Sequence, residues 1–262
     1  MRRPELLKSG KPPLVVIHGG PQVPSDYLFP LQDVDLKRSV IFYDQLGCGR
    51  SDSPAAEQSA SYYGVEQSVD DLRAVLAALD VGKCHLYGQS WGGLLAFEHA
   101  SRTAGTDWDA SVLSLVLSNT PSSVNLVEEE AARLVRECDG DVEQFMQTHN
   151  CRVGGGAEQP MPLAAAYAHA GSTWRGSSAI TNVVADAEAM ARVAAPCLVM
   201  RGQFDFVTEL CVEGWKGLPG ARFETLKDAS HHALLEKPDE YLRLLGDFLS
   251  EADLLALAQR DV

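Results

Sequence analysis

Ser90 stands in Gly88-Gln89-Ser90-Trp91-Gly92, between the β-like run Cys84-His85-Leu86-Tyr87 and the helix-like run Leu94-Leu95-Ala96-Phe97-Glu98-His99-Ala100. A serine in such a strand-to-helix turn has an exposed hydroxyl, and the next N–H lies at a helix N-terminus, so nucleophile and oxyanion donor arise together. A serine hydroxyl is a poor nucleophile at neutral pH. It needs a base, and the base needs a group that holds its tautomer. Asp205 closes Arg201-Gly202-Gln203-Phe204-Asp205, after the apolar run 197–200, and His231 closes Asp228-Ala229-Ser230-His231, after the run 222–226. A single Asp or His in a loop is more often a cap or turn residue. Three residues in the order Ser, Asp, His, each past its own strand, point instead to nucleophilic catalysis. His18-Gly19-Gly20-Pro21 follows the run 14–17, and its glycines let backbone approach a carbonyl closely. The N–H of Gly19 or Gly20 is the expected second oxyanion donor beside that of Trp91.

The elements that must position these residues read as alternating strands and helices. Residues 14–17 and 39–43 are continuous apolar runs stopped by turn residues, as buried parallel strands are. Val65, Val69, Leu72, Val75, Leu76 and Leu79 recur three or four apart and predict a helix lying on a sheet. With the runs 84–87, 112–117 and 197–200, the pattern is βαβ. It implies a mostly parallel sheet with ligands beyond the strands' C-terminal ends. The rhythm breaks from Pro121 to Val193, where helical patterns over 127–138 and 142–149 lead into a Gly- and Ala-rich stretch. This predicts a core of residues 1–120 and 194–262, with 121–193 as an inserted helical lid. A C-terminal helix opens at Pro238 and is expected to fray over 251–262.

At 262 residues the chain suits one domain with an insert. Its formal net charge of -14 disfavours nucleic acid and other polyanions. The cysteines lack C-x-x-C spacing and read as reduced and structural. Neither a signal-peptide core nor a bilayer-length apolar stretch is visible, so a soluble cytoplasmic protein without a membrane partner is expected. His18, His85, His99, His149, His169, His231 and His232 show no metal-ligand spacing, and no metal is expected.

Taken together, His18-Gly19-Gly20-Pro21, Asp44-Gln45-Leu46-Gly47-Cys48-Gly49-Arg50-Ser51, Gly88-Gln89-Ser90-Trp91-Gly92-Gly93 and the Asp205 and His231 segments resemble the proline iminopeptidase and amino-acid amidase family of α/β hydrolases. Thr148-His149-Asn150-Cys151-Arg152 is similar to that family's lid. The resemblance implies an α/β-hydrolase fold, with a mostly parallel sheet between helices on both faces and an inserted helical lid. It also implies cleavage of a small-molecule or short-peptide substrate, by release of an N-terminal residue or hydrolysis of an amino-acid amide, through an acyl-enzyme and without a cofactor. In related hydrolases the base precedes an acidic residue by five and a proline by seven. His231 meets that pattern with Glu236 and Pro238, whereas His232 does not.

Departures from the family concern the substrate. Its members anchor a free amine with two acidic residues, one in a lid motif and one directly after the catalytic aspartate. Here Gly176-Ser177-Ser178-Ala179-Ile180 places Ala179 at the first position, and Phe206 holds the second. A lost charge-assisted hydrogen bond is worth about 1.5–3 kcal/mol. A pocket of Pro21, Gln22, Ala179, Phe206 and His232 is therefore expected to take a substrate without a free α-amine, such as a small ester, lactone or acylated amide. Glu128, Glu129, Glu130, Asp186 or Glu188 as relocated anchors would instead leave a genuine proline iminopeptidase or amidase. Gln22, where the family turn usually has glycine, narrows the entrance. Few residues precede Leu14, so the hairpin that relatives carry there is expected to be missing. The run 39–43 would then be a sheet edge at which a second copy could pair as a homodimer. The non-enzymatic alternative is a ligand receptor or degenerate homologue. The intact Ser-Asp-His set favours the enzyme, and a serine at the elbow argues against an epoxide hydrolase or dehalogenase.

Overall fold

Six short strands form one sheet: β1 (Leu14–Ile17), β2 (Val40–Tyr43), β3 (Cys84–Gln89), β4 (Val112–Ser118), β5 (Cys197–Gly202) and β6 (Arg222–Leu226). Their order is β2-β1-β3-β4-β5-β6, and every neighbouring pair is parallel. The computed structural model describes residues 11–34, 37–52, 64–104, 106, 112–153, 160–169 and 183–258. Ala179 and its segment 176–180 lie outside them. Among the described residues β2 is an edge strand, paired only with β1.

β1 and the first four residues of β5 read as unbroken apolar runs because both of their faces are covered, whereas β6, paired only with β5 among the described residues, is only partly buried. A 3-10 helix (Ser25–Asp33) joins β1 to β2, α1 (Val65–Ala78) precedes β3, and α2 (Trp91–Thr103) follows it. Val15 and Ile17 pack with Val69, Leu72 and Leu76 of α1 and with Leu94 and Leu95 of α2. Leu14 and Val16 face the other way, toward Tyr27, Tyr241, Leu245 and Phe248. Each fully buried aliphatic or aromatic side chain contributes about 1.5–3 kcal/mol, so both layers are needed.

Between β4 and β5 the chain makes α3 (Val124–Glu137), α4 (Val142–Phe145), a π-helix (Met146–Asn150), α5 (Met161–Ala168) and α6 (Ala187–Arg192). The ends of this insertion are tied together by an antiparallel bridge of Ser123 with Val184. The helix anticipated over 142–149 is thus α only as far as Phe145 and then widens into π geometry.

After β5 come α7 (Glu209–Val212) and a 3-10 turn (Glu213–Gly217), and after β6 come α8 (Ala233–Glu236) and α9 (Pro238–Ala258). The expected fraying from 251 is corrected here. Helix α9 runs unbroken to Ala258 because Ala252 is buried and Asp253 pairs with the buried Arg38. No helix among the described residues is long and apolar enough to cross a membrane. The six cysteines are free and buried, and burial pushes the thiols of Cys48, Cys84 and Cys197 up to about 12.

β1 hydrogen-bonds β2 on one side and β3 on the other. The connections after β1 and β3 therefore diverge and leave a crevice at the strands' C-terminal ends. The sequence 18–22 and Ser90 lie at that switch point.

Candidate active site

Ser90 adopts φ 54°, ψ -121°, a conformation that residues with a side chain rarely take. Its N–H donates to the Ser118 carbonyl at 2.8 Å, and its carbonyl accepts from Gly93 N–H at 2.9 Å. The turn is thus held by β4 on one side and the first turn of α2 on the other. Close approach explains the flanking glycines. A Cβ on Gly88 would lie 2.2 Å from the Gly92 carbonyl oxygen, and a Cβ on Gly92 would lie 2.2 Å from that of Ile17.

His231 Nδ1 lies 2.8 Å from Asp205 Oδ1, and both residues are buried. A carboxylate only accepts, so Nδ1 carries the hydrogen and the neutral ring keeps its lone pair on Nε2, the atom a general base uses. Asp205 Oδ1 also accepts from Val207 N–H at 2.8 Å, and Oδ2 accepts from Asn119 Nδ2 at 2.7 Å. The Phe206 ring stacks on His231, with centroids 4.1 Å apart, and continues to Phe145 at 6.1 Å. Glu236 accepts from Ser230 N–H at 2.9 Å and from Ser230 Oγ at 2.6 Å. The acid five residues after His231 thus closes the loop that carries it. Burial raises the Glu236 pKa, opposed by those two Ser230 bonds.

Of the two glycines expected at the oxyanion site, Gly19 is committed elsewhere. Its N–H donates to the Tyr27 hydroxyl at 2.9 Å, Tyr27 donates to Gln89 Oε1 at 2.7 Å, and Gln89 Nε2 donates to the His231 carbonyl at 3.3 Å. The expectation for Gly19 is therefore corrected: its amide links the loop after β1 to the elbow. Gly20 is exposed, with φ 114° and a cis bond to Pro21. Trp91 is the first residue of α2.

His18 is wholly buried, and burial lowers its pKa. Gln45 N–H donates to His18 Nε2 at 2.9 Å, so the hydrogen of the neutral ring sits on Nδ1, 2.9 Å from the Gly19 carbonyl. Gln45 Nε2 also donates to the His18 carbonyl at 2.7 Å, and its Oε1 accepts from Trp91 Nε1 at 3.0 Å. One glutamine thereby joins the loop after β1 to the first residue of α2.

The expected pocket residues fare differently. Phe206 stands against His231, while Pro21 and Gln22 are buried in the turn. His232 is 5% exposed and packs edge-on to Tyr27 at 5.3 Å and Tyr167 at 6.2 Å, and it lines a small cavity with Tyr27, Gln89 and His231. Burial holds its pKa well below the usual histidine value. Among the acids weighed as relocated anchors, Glu128, Glu129 and Glu188 are exposed. Asp186 caps α6 through Ala189 N–H at 3.0 Å, and Glu130 pairs with Arg133 at 2.8 Å.

The π-helix is a component that periodicity did not disclose. The His149 carbonyl accepts from Phe206 N–H at 3.3 Å and from His231 N–H at 3.2 Å, and the Asn150 carbonyl accepts from His232 N–H at 3.1 Å. His149 Nδ1 donates to the Phe204 carbonyl at 2.8 Å. The insertion is therefore bonded to both the loop that carries Asp205 and the loop that carries His231. Single π turns inside helices often mark functional positions, but their sequence signature is weak.

A second Ser-His-Asp set shows why residue type alone is insufficient. At the opposite end of the sheet, His85 Nδ1 lies 2.8 Å from Ser114 Oγ, and its Nε2 lies 3.1 Å from Asp253 Oδ1. Ser114 is fully buried on a strand, with no elbow and no access, so this set ties α9 to the sheet. No group of three or more His, Cys, Asp or Glu that could hold a metal ion occurs among the described residues.

Residues 12–155 match the α/β hydrolase fold family. A proline iminopeptidase of Lactobacillus helveticus (strain DPC 4571) is 28% identical over 94% of this chain and 92% of its own length. One from Saccharolobus solfataricus is 29% identical over 91% of this chain and 84% of its own. The crystal structure of a proline iminopeptidase of Mycobacterium smegmatis superimposes with a TM-score of 0.81 at 28% identity, covering 94% of this chain and 91% of that one. With a strained serine at the switch point and a family match over more than half of its length, the chain belongs to the α/β hydrolases and is a proline iminopeptidase-like hydrolase.

Proposed function

We propose that Ser90 is the nucleophile, His231 the general base, Asp205 its orienting carboxylate, and the N–H groups of Gly20 and Trp91 the oxyanion donors. The reading rests on the 2.8 Å His231–Asp205 bond, joined to the turn of the strained Ser90 by the bond from Gln89 Nε2 to the His231 carbonyl. Ser90 Oγ attacks the substrate carbonyl as its proton passes to His231 Nε2. The imidazolium is stabilised by Asp205, and the two amides take the developing oxyanion. His231 then protonates the leaving group. A water deprotonated by the same nitrogen hydrolyses the acyl-enzyme and restores Ser90. Residues 121–193 serve as the lid, a role supported by the bonds of His149 and Asn150 to both triad loops.

The substrate in this reading is a small ester, lactone or acylated amide without a free α-amine. An apolar wall of Phe206 and Phe145 beside His231 supports it, as do the other engagements of Glu130 and Asp186. An ammonium at that wall forgoes a charge-assisted hydrogen bond, a loss of about 10- to 100-fold in kcat/KM. The names of the relatives supply the competing outcome. The test compares proline and alanine p-nitroanilides with matched p-nitrophenyl esters, alongside fluorophosphonate labelling of wild type and Ser90→Ala. Labelling that depends on Ser90, with esters preferred, is expected. Efficient turnover of the free-amine anilides overturns the substrate assignment, and a folded wild type that takes no label overturns the enzyme.

A further inference from the structure

Asp205 and His231 lie on loops after different strands, so the angle between carboxylate and imidazole depends on what joins those loops. Asn119, at the end of β4, does so. Its Nδ2 donates to Asp205 Oδ2 at 2.7 Å and to the Ser230 carbonyl at 3.2 Å. Its backbone N–H donates to the Met200 carbonyl at 2.7 Å. The residue takes φ 51°, a left-handed conformation that asparagine and aspartate tolerate better than other side chains.

The direction of every bond behind Asn119 follows from counting protons. With both amide hydrogens spent, Asn119 Oδ1 must accept, and Ser118 Oγ donates to it at 2.8 Å. Ser118 Oγ has then used its only hydrogen, so it accepts from Tyr241 OH at 2.6 Å. Tyr241 has likewise used its own and accepts from Tyr87 OH at 2.7 Å. All four side chains are buried. The result is a one-way chain, Tyr87 to Tyr241 to Ser118 to Asn119, ending on the carboxylate oxygen that His231 does not use. Such chains polarise their members, and a low dielectric makes each end-member costly to mis-set.

We infer that Asn119 is a positioning residue of the hydrolase: it fixes the rotation of the Asp205 carboxylate against His231 and clamps the acid and base loops together, with its amide orientation set by the tyrosine–serine chain. This rests on the triad assignment above and adds to it the residue that aligns the acid. The titratable groups packed around the chain are His231, His232, Cys211, Tyr27, Tyr87 and Tyr241. Burial keeps His232 neutral and the thiol and all three phenols protonated. A change in the acid limb of reactivity in an Asn119 variant therefore reports on the Asp205–His231 pair.

The test is the rate of fluorophosphonate labelling across pH 5 to 9, which reads the activation of Ser90 and is independent of acyl preference. Asn119→Asp keeps shape and tolerates the same φ, but replaces the amide with a carboxyl. Two buried carboxyls this close do not both ionise at low pH, so the new group and Asp205 share one proton there, which weakens the charge facing His231 until that proton leaves; the acid limb moves up by about one pH unit and labelling at pH 6 falls about tenfold. Asn119→Ala frees the carboxylate to turn. Labelling falls about 10- to 100-fold at every pH, with the limb in place. Tyr241→Phe leaves Ser118 able to donate and changes the rate by no more than about threefold. Thermal melts and circular dichroism establish that each variant is folded. A folded Asn119→Asp whose profile superimposes on that of wild type overturns the inference, as does an Asn119→Ala that loses stability but labels normally. Ser90→Ala, run in parallel, separates the two readings: if it labels like wild type the triad itself is wrong, whereas if it is inert only the role of Asn119 is in question.

Discussion

Acidification tests whether the elbow helix is built around a neutral imidazole. His99 lies on α2, fully buried, and its pKa is lowered from 6.5 to about 4 by burial and, secondarily, by the charge of Arg73. In the unfolded chain the ring takes up a proton near pH 6.5, whereas in the fold it stays neutral until far lower pH. Between those limits the unfolded chain binds the extra proton, so stability is lost as pH falls through the window and is unaffected well above it. The displacement corresponds to about 3 kcal/mol at the bottom of the window and about 2 kcal/mol by pH 5. The perturbation is His99→Gln, similar in size and neutral throughout. The assay is urea unfolding at pH 7 and pH 5, read by the fluorescence of the buried Trp91 and Trp215. Burial also lowers the pKa of His18, His85 and His232, so both proteins lose stability. Wild type should lose about 2 kcal/mol more than the variant. A constant offset from altered packing cancels in this comparison. Equal losses in the two proteins would refute the reasoning.

Tyr27→Phe removes the hydroxyl between Gly19 N–H and Gln89 Oε1; ester kcat/KM should drop about tenfold with the fold intact, and unchanged kinetics would contradict the link. Gly92→Ala drives a Cβ to 2.2 Å from the Ile17 carbonyl oxygen, so a lower Tm and loss of fluorophosphonate labelling are expected; wild-type values for both would show that β1 and α2 need not approach so closely. Asp253→Asn strips the charge from the buried Arg38 and should cost about 3 kcal/mol in urea unfolding, while the pH profile of catalysis stays in place. A loss below about 0.5 kcal/mol would mean that the guanidinium finds another partner.

The strand–turn–helix around Ser90 was legible because it is local: apolar runs set β3 and α2, and glycines are required wherever another backbone comes within contact. The meeting of Asp205 and His231 was legible because each follows a strand, and a parallel sheet carries all such ends to one rim. The Glu236 spacing was readable for the same reason, since Ser230 and Glu236 are near neighbours in the chain. Gly19 was misjudged because its amide meets Tyr27, a contact that no turn pattern encodes. The enclosure of His232 by Tyr27 and Tyr167 was not legible, because it depends on how two separate helices pack.

The amino-acid order alone determined the alternating architecture, the strand–turn–helix at Ser90 and the placing of Asp205 and His231 after later strands, since these follow from periodicity and turn chemistry over short spans. Tertiary structure alone decided which bonds align them. Tyr27 and Gln89 are separated by 62 positions, Asn119 and Asp205 by 86, and Ser118 and Tyr241 by 123. A hydrogen bond is directional over about 3 Å, so such partners are selected only once packing of the sheet and its helices has brought the groups to bonding distance.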